Sequence, residues 1–454
     1  METLKITPYP YQKEGIKKSL ELKRLINGDD MGLGKTFEAI ATIAISGATP
    51  TLVVCPSSLK INWEREIEKF TNLRPIVLTD SIKTTFPYYL TMKMYDVAIV
   101  NYESLRKYFV IEAKKGFRLK DVIFQPSINL FKSVILDESH RCKDPSAQQT
   151  KFVRGICASK EFVIMLTGTP VVNVPADIAT QIAIMGRIKE FGGYGKFLHD
   201  YGEDGNLEEL QQRIKASCYF RREKKDVLKD LPKLTRSTII TPISNREEYE
   251  TCYEDLKKYL SEYKNCSDDE IRRKMRMKAL VKFMNLRSIA SLGKVDAAID
   301  FIRDISKQIV VFCSQHVIVD RLKEVFPDAV TVTGRDSQIL KQYAIDSFQK
   351  GESRIILCSI KAAGVGITLT SGNEELFIEL PWTYADLTQC EARCDRIGQK
   401  LPVSSYLMLG DQTIDEHIYS LIMGKKSIAS RITGACDDIP NDEKYFNELM
   451  SCIT

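Results

Sequence analysis

Short apolar runs rich in Val and Ile recur along the chain, separated by longer amphipathic stretches. Thr51-Leu-Val-Val-Cys55, Val97-Ala-Ile-Val100, Ser133-Val-Ile-Leu136 and Phe162-Val-Ile-Met-Leu166 form a first group. Gln308-Ile-Val-Val-Phe312, Ala329-Val-Thr-Val332, Arg354-Ile-Ile-Leu-Cys358 and Leu376-Phe-Ile-Glu-Leu380 form a second. Each run ends in polar, Gly or Pro residues. Runs without polar alternation mark strands covered on both faces, as in parallel sheets flanked by helices. The pattern predicts two α/β lobes. Between about residues 175 and 292 it changes: charge is dense, and 208–229 and 246–282 read as exposed helices. Leu231-Pro232 breaks the chain, and Thr238-Ile-Ile240 reads as a strand entering the second lobe. The expected domains are 1–232, with a helical insertion after about 175, and 233–454, with a helical insertion at about 245–290.

Composition narrows the class. A chain of 454 residues suits two or three domains. With 44% hydrophobic and 28% mixed charged residues, a mainly disordered chain is excluded. Lys plus Arg is 65 against 60 for Asp plus Glu, a net charge of +5. Any nucleic-acid site must therefore come from local clustering of basic residues, not from a bulk excess. Candidate clusters are Arg272-Arg-Lys-Met-Arg-Met-Lys278 and the stretch around Arg221, Arg222, Lys224 and Lys225; a solvated helix face is the ordinary alternative. No apolar segment follows the charged N-terminus, so no secretory signal is expected. No run approaches the roughly 18–20 apolar residues of a membrane span; the nearest, 39–54, is interrupted by Gly47 and Pro50. A soluble intracellular protein without membrane contact is expected, in a nucleus, a bacterial cytoplasm or a virus-infected cell. The 12 scattered cysteines and 4 histidines suggest reduced buried thiols, not a disulfide framework or zinc site.

The strongest chemical string is Gly28-Asp-Asp-Met-Gly-Leu-Gly-Lys-Thr36, a Gly-rich turn before a helix expected at 37–45. Such a turn offers backbone N–H groups and the helix's positive end to phosphates. Lys35 would reach the β- and γ-phosphates and Thr36 would hold magnesium. The strict phosphate-loop spacing wants glycine at position 29, which is Asp29. Asp137 and Glu138 end the apolar strand Ser133-Val-Ile-Leu136. There one carboxylate can hold a metal and the other can activate water. Gln12 is a candidate reader of adenine, since an amide both donates and accepts. Thr167, Gly168 and Thr169 form a turn whose hydroxyls could link the acidic pair to a second ligand. In the second lobe, Arg393 and Arg396 are three apart and would share a helix face, where they could neutralise charge during phosphoryl transfer. The Gly-rich stretch Ser359-Ile-Lys-Ala-Ala-Gly-Val-Gly-Ile-Thr368 would let backbone approach a phosphate. Taken singly, each has a plain alternative: a turn, a surface glutamine, a salt-bridged helix.

The ordered set resembles the Swi/Snf-type helicase-like ATPases of helicase superfamily 2. Asp30-Met-Gly-Leu-Gly-Lys-Thr36 and Arg396-Ile-Gly-Gln399 are the most telling strings. Pro10-Tyr-Gln-Lys-Glu-Gly15, Val54-Cys-Pro-Ser57, Asn101-Tyr-Glu103, Asp137-Glu-Ser-His140 and Thr167-Gly-Thr-Pro170 follow in the family's order. So do Phe220-Arg-Arg-Glu-Lys-Lys-Asp-Val227, Val311-Phe-Cys-Ser314 and Gly364-Val-Gly-Ile-Thr-Leu369. The resemblance runs from about residue 8 to about residue 420 and implies two RecA-like parallel-sheet lobes with a helical insertion between them. It implies ATP and Mg2+ as cofactors. Met31, Gly32, Leu33, Gly34, Lys35 and Thr36 would cradle the nucleotide, with Gln12 and Gln389 beside it. Lys35, Asp137, Glu138, Arg393 and Arg396 would be catalytic, Thr36 and Asp137 would hold the metal, and Thr167, Gly168 and Thr169 would couple hydrolysis to movement. Pro56, Ser57, Asn101, Ser314, Ser359, Lys361, Gly364 and Gly366 would contact DNA.

The implied activity is DNA-dependent ATP hydrolysis with translocation on duplex or forked DNA, remodelling DNA or protein–DNA complexes. The protein would be a bare motor able to act as a monomer. A strand-separating superfamily 2 helicase on DNA or RNA is the alternative, and a non-hydrolysing descendant is disfavoured by the intact catalytic set. Ser139, where many relatives carry Ala, and Thr368, where remodelling relatives carry Asn, lean toward the strand-annealing, fork-remodelling branch. Ala392 and Asp395, where many relatives have Asp and His, also depart from the pattern.

Overall fold

The structure is a computed structural model; it describes residues 3–424 except 115, 169–174, 203–205, 265–268 and 364–365. It divides into two compact units, one running to Lys229 and one starting at Asp230.

The first unit contains β1 (Arg24–Asn27), β2 (Thr51–Cys55), β3 (Pro75–Val77), β4 (Val97–Asn101), β5 (Val110–Glu112), β6 (Ile123–Phe124), β7 (Ser133–Asp137), β8 (Phe162–Leu166) and β9 (Tyr219–Phe220). Strands β5 and β6 pair as a separate antiparallel ribbon. The others form one sheet in the order β3-β4-β2-β7-β8-β1-β9, every pair parallel. Both alternating sets of side chains on β2 and β8 are buried, which explains why these strands read as unbroken apolar runs. Helices α1 (Pro10–Leu22), α2 (Lys35–Ser46) and α3 (Lys60–Phe70) lie among the connections. Because all strands point one way, the loops after β1, β2, β4, β7 and β8 leave from the same edge of the sheet, where ligands bind in open α/β folds.

The second unit carries β10 (Leu234–Thr241), β11 (Ile309–Phe312), β12 (Val330–Val332), β13 (Ile355–Cys358), β14 (Glu374–Phe377) and β15 (Val403–Gly410). They form a second sheet in the order β10-β15-β14-β11-β13-β12, again all parallel. Its core joins Ile309, Val311, Leu357 and Leu376 to Ala298, Ile302, Ile318 and Leu322 of two flanking helices.

The charge-dense region is less exposed than its sequence suggests. Residues 208–229 are not one exposed helix: a helix spans Leu207–Ser217, with Leu210 and Ile214 fully buried, and the buried strand β9 follows. The next charged stretch forms two long helices, Arg246–Lys264 and Asp269–Gly293, packed on each other and burying Leu256, Leu260, Phe283 and Leu286. Among the described residues no helix is long and apolar enough to cross a membrane, and no cluster of three or more His, Cys, Asp or Glu could hold a metal. The described cysteines are free thiols, all buried except the half-buried Cys252.

Candidate active site

The loop from β1 to α2 carries the Gly-rich string. Gly32 and Gly34 lie at φ 87° and 84°, in the left-handed region where a side chain would be strained. Gly34 caps α2, so the helix opens at Lys35, two residues before its expected start. Lys35 and Thr36 thus occupy the first turn, whose N–H groups lack helical acceptors and favour an anion. The Leu33 carbonyl accepts from Tyr11 Oη at 2.9 Å and from Gln12 Nε2 at 3.1 Å, and Gln12 Oε1 accepts from the Tyr9 amide at 3.1 Å. Gln12 therefore braces the loop through both ends of its amide. Lys35 Nζ donates to the Asp29 carbonyl at 2.7 Å and the Asp30 carbonyl at 3.3 Å. Burial lowers its pKa, opposed by the charges of Asp29, Glu138 and Asp30.

Asp137 closes β7. Its Oδ2 accepts from Trp63 Nε1 at 2.8 Å, its Oδ1 from the Glu138 amide at 3.0 Å, and its carbonyl from Tyr102 Oη at 2.8 Å. Burial first, then the Glu138 charge, push Asp137 up to about 7; Trp63 and Lys35 act the other way. Glu138 sits at φ 51°, a left-handed conformation rare outside glycine and common at functional turns. His140 Nδ1 lies 3.4 Å from Glu138 Oε2 and 3.1 Å from Thr167 Oγ1, so the imidazole joins the acidic pair to the expected coupling turn. The Thr167 amide donates to the Asn27 carbonyl at 3.2 Å, which fastens that turn to the end of β1. A Cβ on Gly168 would meet Met31 Cε at 2.9 Å, so glycine lets the two loops approach. Thr169 lies outside the described residues. The two half-buried carboxylates and the Thr36 hydroxyl are hard oxygen donors, and a divalent cation would offset the repulsion between the adjacent Asp137 and Glu138. The donor set fits such an ion.

Asp29 and Glu38 carried no expected role, and Arg221 and Arg222, expected in a basic cluster for nucleic acid, are instead turned onto carboxylates of their own unit. Arg222 binds the fully buried Asp29 through its Nε, at 3.1 and 3.0 Å to the two oxygens, and through Nη2. The same guanidinium reaches Glu38 at 2.7 and 2.8 Å and lies 5.2 Å from the ring centres of Tyr11 and Phe220. One cation thus serves two buried carboxylates. Burial, then Asp29, raise Glu38 to about 8, against Arg222 and Asn27. Arg221 bonds Asp30 at 2.5 Å and the carbonyls of Gly28 and Gly168 at 3.0 and 3.1 Å. Asp29, the residue that breaks the strict phosphate-loop spacing, is therefore one half of a clasp on the loop. The paired Asp29-Asp30 and Arg221-Arg222 hint at it, yet they lie 191 or more residues apart.

The residues expected to contact DNA fall on the same kind of edge in each unit. Pro56 is buried and Ser57 exposed after β2. Asn101 ends β4 and donates to Glu103 at 2.8 Å, which also receives Arg141 at 3.2 Å. In the second unit Ser314, exposed after β11, gives its amide to the buried Glu379. Ser359 follows β13, and its Oγ accepts from the Ala362 amide at 3.3 Å. Lys361 is exposed and Gly366 has φ 65°; Gly364 lies outside the described residues.

Arg393 and Arg396 do not share a helix face. The helix Tyr384–Glu391 ends before them, and both lie in tight turns. Two anchors hold the segment in place. Glu391 is tied at 2.7 Å to both Arg236 Nε and Nη2, and Gln399 folds back to the carbonyls of Gly372 at 2.9 Å and Cys394 at 3.3 Å. Arg396 donates to Thr368 Oγ1 at 2.9 Å and to the Ile367 carbonyl at 3.2 Å. The turn still gathers both arginines near the Gly-rich stretch, and Gln389 stands half-buried on the preceding helix.

Two family models cover most of the chain: the SNF2-related domain over residues 11–292 and the helicase conserved C-terminal domain over 293–398. The chain is 28% identical over 460 residues to a Caenorhabditis elegans homologue of SWI/SNF-related matrix-associated actin-dependent regulator of chromatin subfamily A-like protein 1, covering 96% of this chain and 63% of that one. It is 28% identical to the human DNA annealing helicase and endonuclease ZRANB3, covering 96% of this chain and 41% of that one. The chain thus spans less than two thirds of these relatives. A Sulfolobus solfataricus SWI2/SNF2 ATPase core, solved in complex with dsDNA, aligns over 98% of this chain and 96% of that chain at 24% identity, with a TM-score of 0.45. With the SNF2-related model alone matching more than half its length, the chain belongs to the Swi/Snf-type, SNF2-related helicase-like ATPases.

Proposed function

We propose that the chain hydrolyses ATP in a DNA-dependent manner and moves along double-stranded DNA without separating its strands, acting on duplex or forked DNA as in replication-fork repair. The observation that carries this is the joining of Lys35, Asp137 and Glu138 at one edge of a parallel sheet, within electrostatic reach of one another. Thr36 and Asp137 would hold Mg2+, which when bound supplies positive charge to the phosphate oxygens. The α2 amides and Lys35 would hold the phosphates. Glu138 would accept the proton of the attacking water. Arg393 and Arg396 would neutralise charge on the γ-phosphate. Thr167, joined to Glu138 through His140, would relate the state of the site to the neighbouring loop. DNA as the track is supported by the likeness to an annealing helicase and by the strings at Pro56, Ser57, Asn101, Ser314 and Ser359–Gly366, which resemble the family's DNA-contacting motifs.

ATP turnover measured in parallel with no nucleic acid, single strands, duplex, forks and RNA tests this. Duplex or forked DNA should stimulate turnover by on the order of tenfold or more, about 1.4 kcal/mol of barrier, and RNA should not. Equal stimulation by RNA or single strands would instead favour a strand-separating helicase.

A further inference from the structure

Two buried aromatic residues converge on Asp137 from the two loops of the first unit that are expected to contact DNA. Trp63 lies on α3, just beyond the Pro56-Ser57 loop, and is 1% exposed. Its only polar atom, Nε1, donates to Asp137 Oδ2 at 2.8 Å. Tyr102 follows Asn101 directly, is also 1% exposed, and donates its hydroxyl to the Asp137 carbonyl at 2.8 Å. A buried indole or phenol needs a partner for its polar atom, but packing a helix on a sheet needs only an apolar ring. Here both polar atoms are directed to one residue, which sits 74 positions from Trp63 and 35 from Tyr102. With the Glu138 amide on Oδ1 at 3.0 Å, these bonds fix both the plane of the carboxylate and the end of β7 that carries it.

We propose that Trp63 and Tyr102 are positioning residues that transmit DNA contact to the metal-holding carboxylate, resting on the DNA-dependent hydrolysis proposed above. DNA phosphates pressing on the loops at Ser57 and Asn101 shift α3 and the turn beginning at Tyr102. The two donated bonds carry that shift to Asp137, whose orientation sets how well the cation and water are held. Stimulation by DNA thus needs no contact between DNA and the nucleotide.

The chain has two tryptophans, Trp63 and Trp382, so a Trp382→Phe protein reports Trp63 alone. Its emission should change on adding Mg2+ with ADP, and again on adding a short duplex; an emission indifferent to both overturns the proposal. Trp63→Phe and Tyr102→Phe each keep the ring and delete the donor. Each should raise the Mg2+ concentration for half-maximal duplex-stimulated turnover by about threefold or more, and lower the maximal stimulated rate by on the order of tenfold, while duplex affinity stays within about twofold. Unchanged Mg2+ demand and full stimulation in both variants would overturn the coupling while leaving DNA-dependent hydrolysis standing. A wild-type protein that duplex does not stimulate would overturn both.

Discussion

At the scale of single residues, the contiguous chemistry was the readable part. Lys35, Thr36, Asp137 and Glu138 stand in strings with a distinctive local backbone: a left-handed glycine turn into a helix, and a strand end followed by a left-handed glutamate. The clasp of Arg222 on Asp29 and Glu38, and the bonds of Trp63 and Tyr102 to Asp137, were not readable, because the partners are distant in sequence and only the fold brings them together. Glu38 yields a prediction with a definite sign. In the unfolded chain it loses its proton near the ordinary 4.5, but in the fold it keeps it to about 8. The folded state binds more protons between those values, so stability falls as pH rises through that window. Asp137, raised to about 7, adds to the same trend. Denaturant unfolding followed by Trp63 emission, in a Trp382→Phe background, should show a midpoint that declines from pH 5 to pH 8, with a shallower decline in Glu38→Gln. Parallel slopes for the two proteins would remove Glu38 as a cause. Arg396 gives a kinetic prediction. Arg396→Ala should cut turnover by on the order of 10³-fold with nucleotide affinity largely kept; lost affinity at unchanged turnover would contradict its role.

At the scale of elements, strands with unbroken apolar runs were legible, the edge strand Val330–Val332 among them, whereas Arg24–Asn27 and Val403–Gly410, both inside their sheets, were not. Val97–Asn101 and Phe162–Leu166 announce themselves as apolar runs. Pro75–Val77 and Tyr219–Phe220 are three and two residues long, too short for any periodicity. The misreading of Arg393 and Arg396 as helical has a related root: spacing alone cannot show that the helix ends at Glu391 and a turn follows, with Gln399 folded back onto it. The short strand β9 matters beyond its length, since it delivers Arg221 and Arg222 to the phosphate loop. Arg222→Ala would leave Asp29 and Glu38 buried without their shared cation, which should destabilise the first unit by about 3–5 kcal/mol. Arg222→Lys should recover only part of this, because an ammonium cannot bond both carboxylates in the guanidinium's geometry. The check is the same denaturant midpoint. An Arg222→Ala protein as stable as the parent would show that the clasp contributes nothing.

At the scale of the whole molecule, near-neutral charge carried less information than the order of motifs. A net charge of +5 over 454 residues suggests no particular partner, yet the parallel strand order in each unit gathers the expected site residues at one sheet edge, the edge where open α/β folds bind ligands. Movement along intact duplex is tested by triplex displacement. A third strand bound to a duplex is released when a motor passes along that duplex, even when its two strands stay paired. With ATP and Mg2+, the protein should displace the third strand without releasing single strands from the duplex, and Glu138→Gln should displace none. Release of single strands, or displacement by Glu138→Gln at the parent rate, would contradict the account.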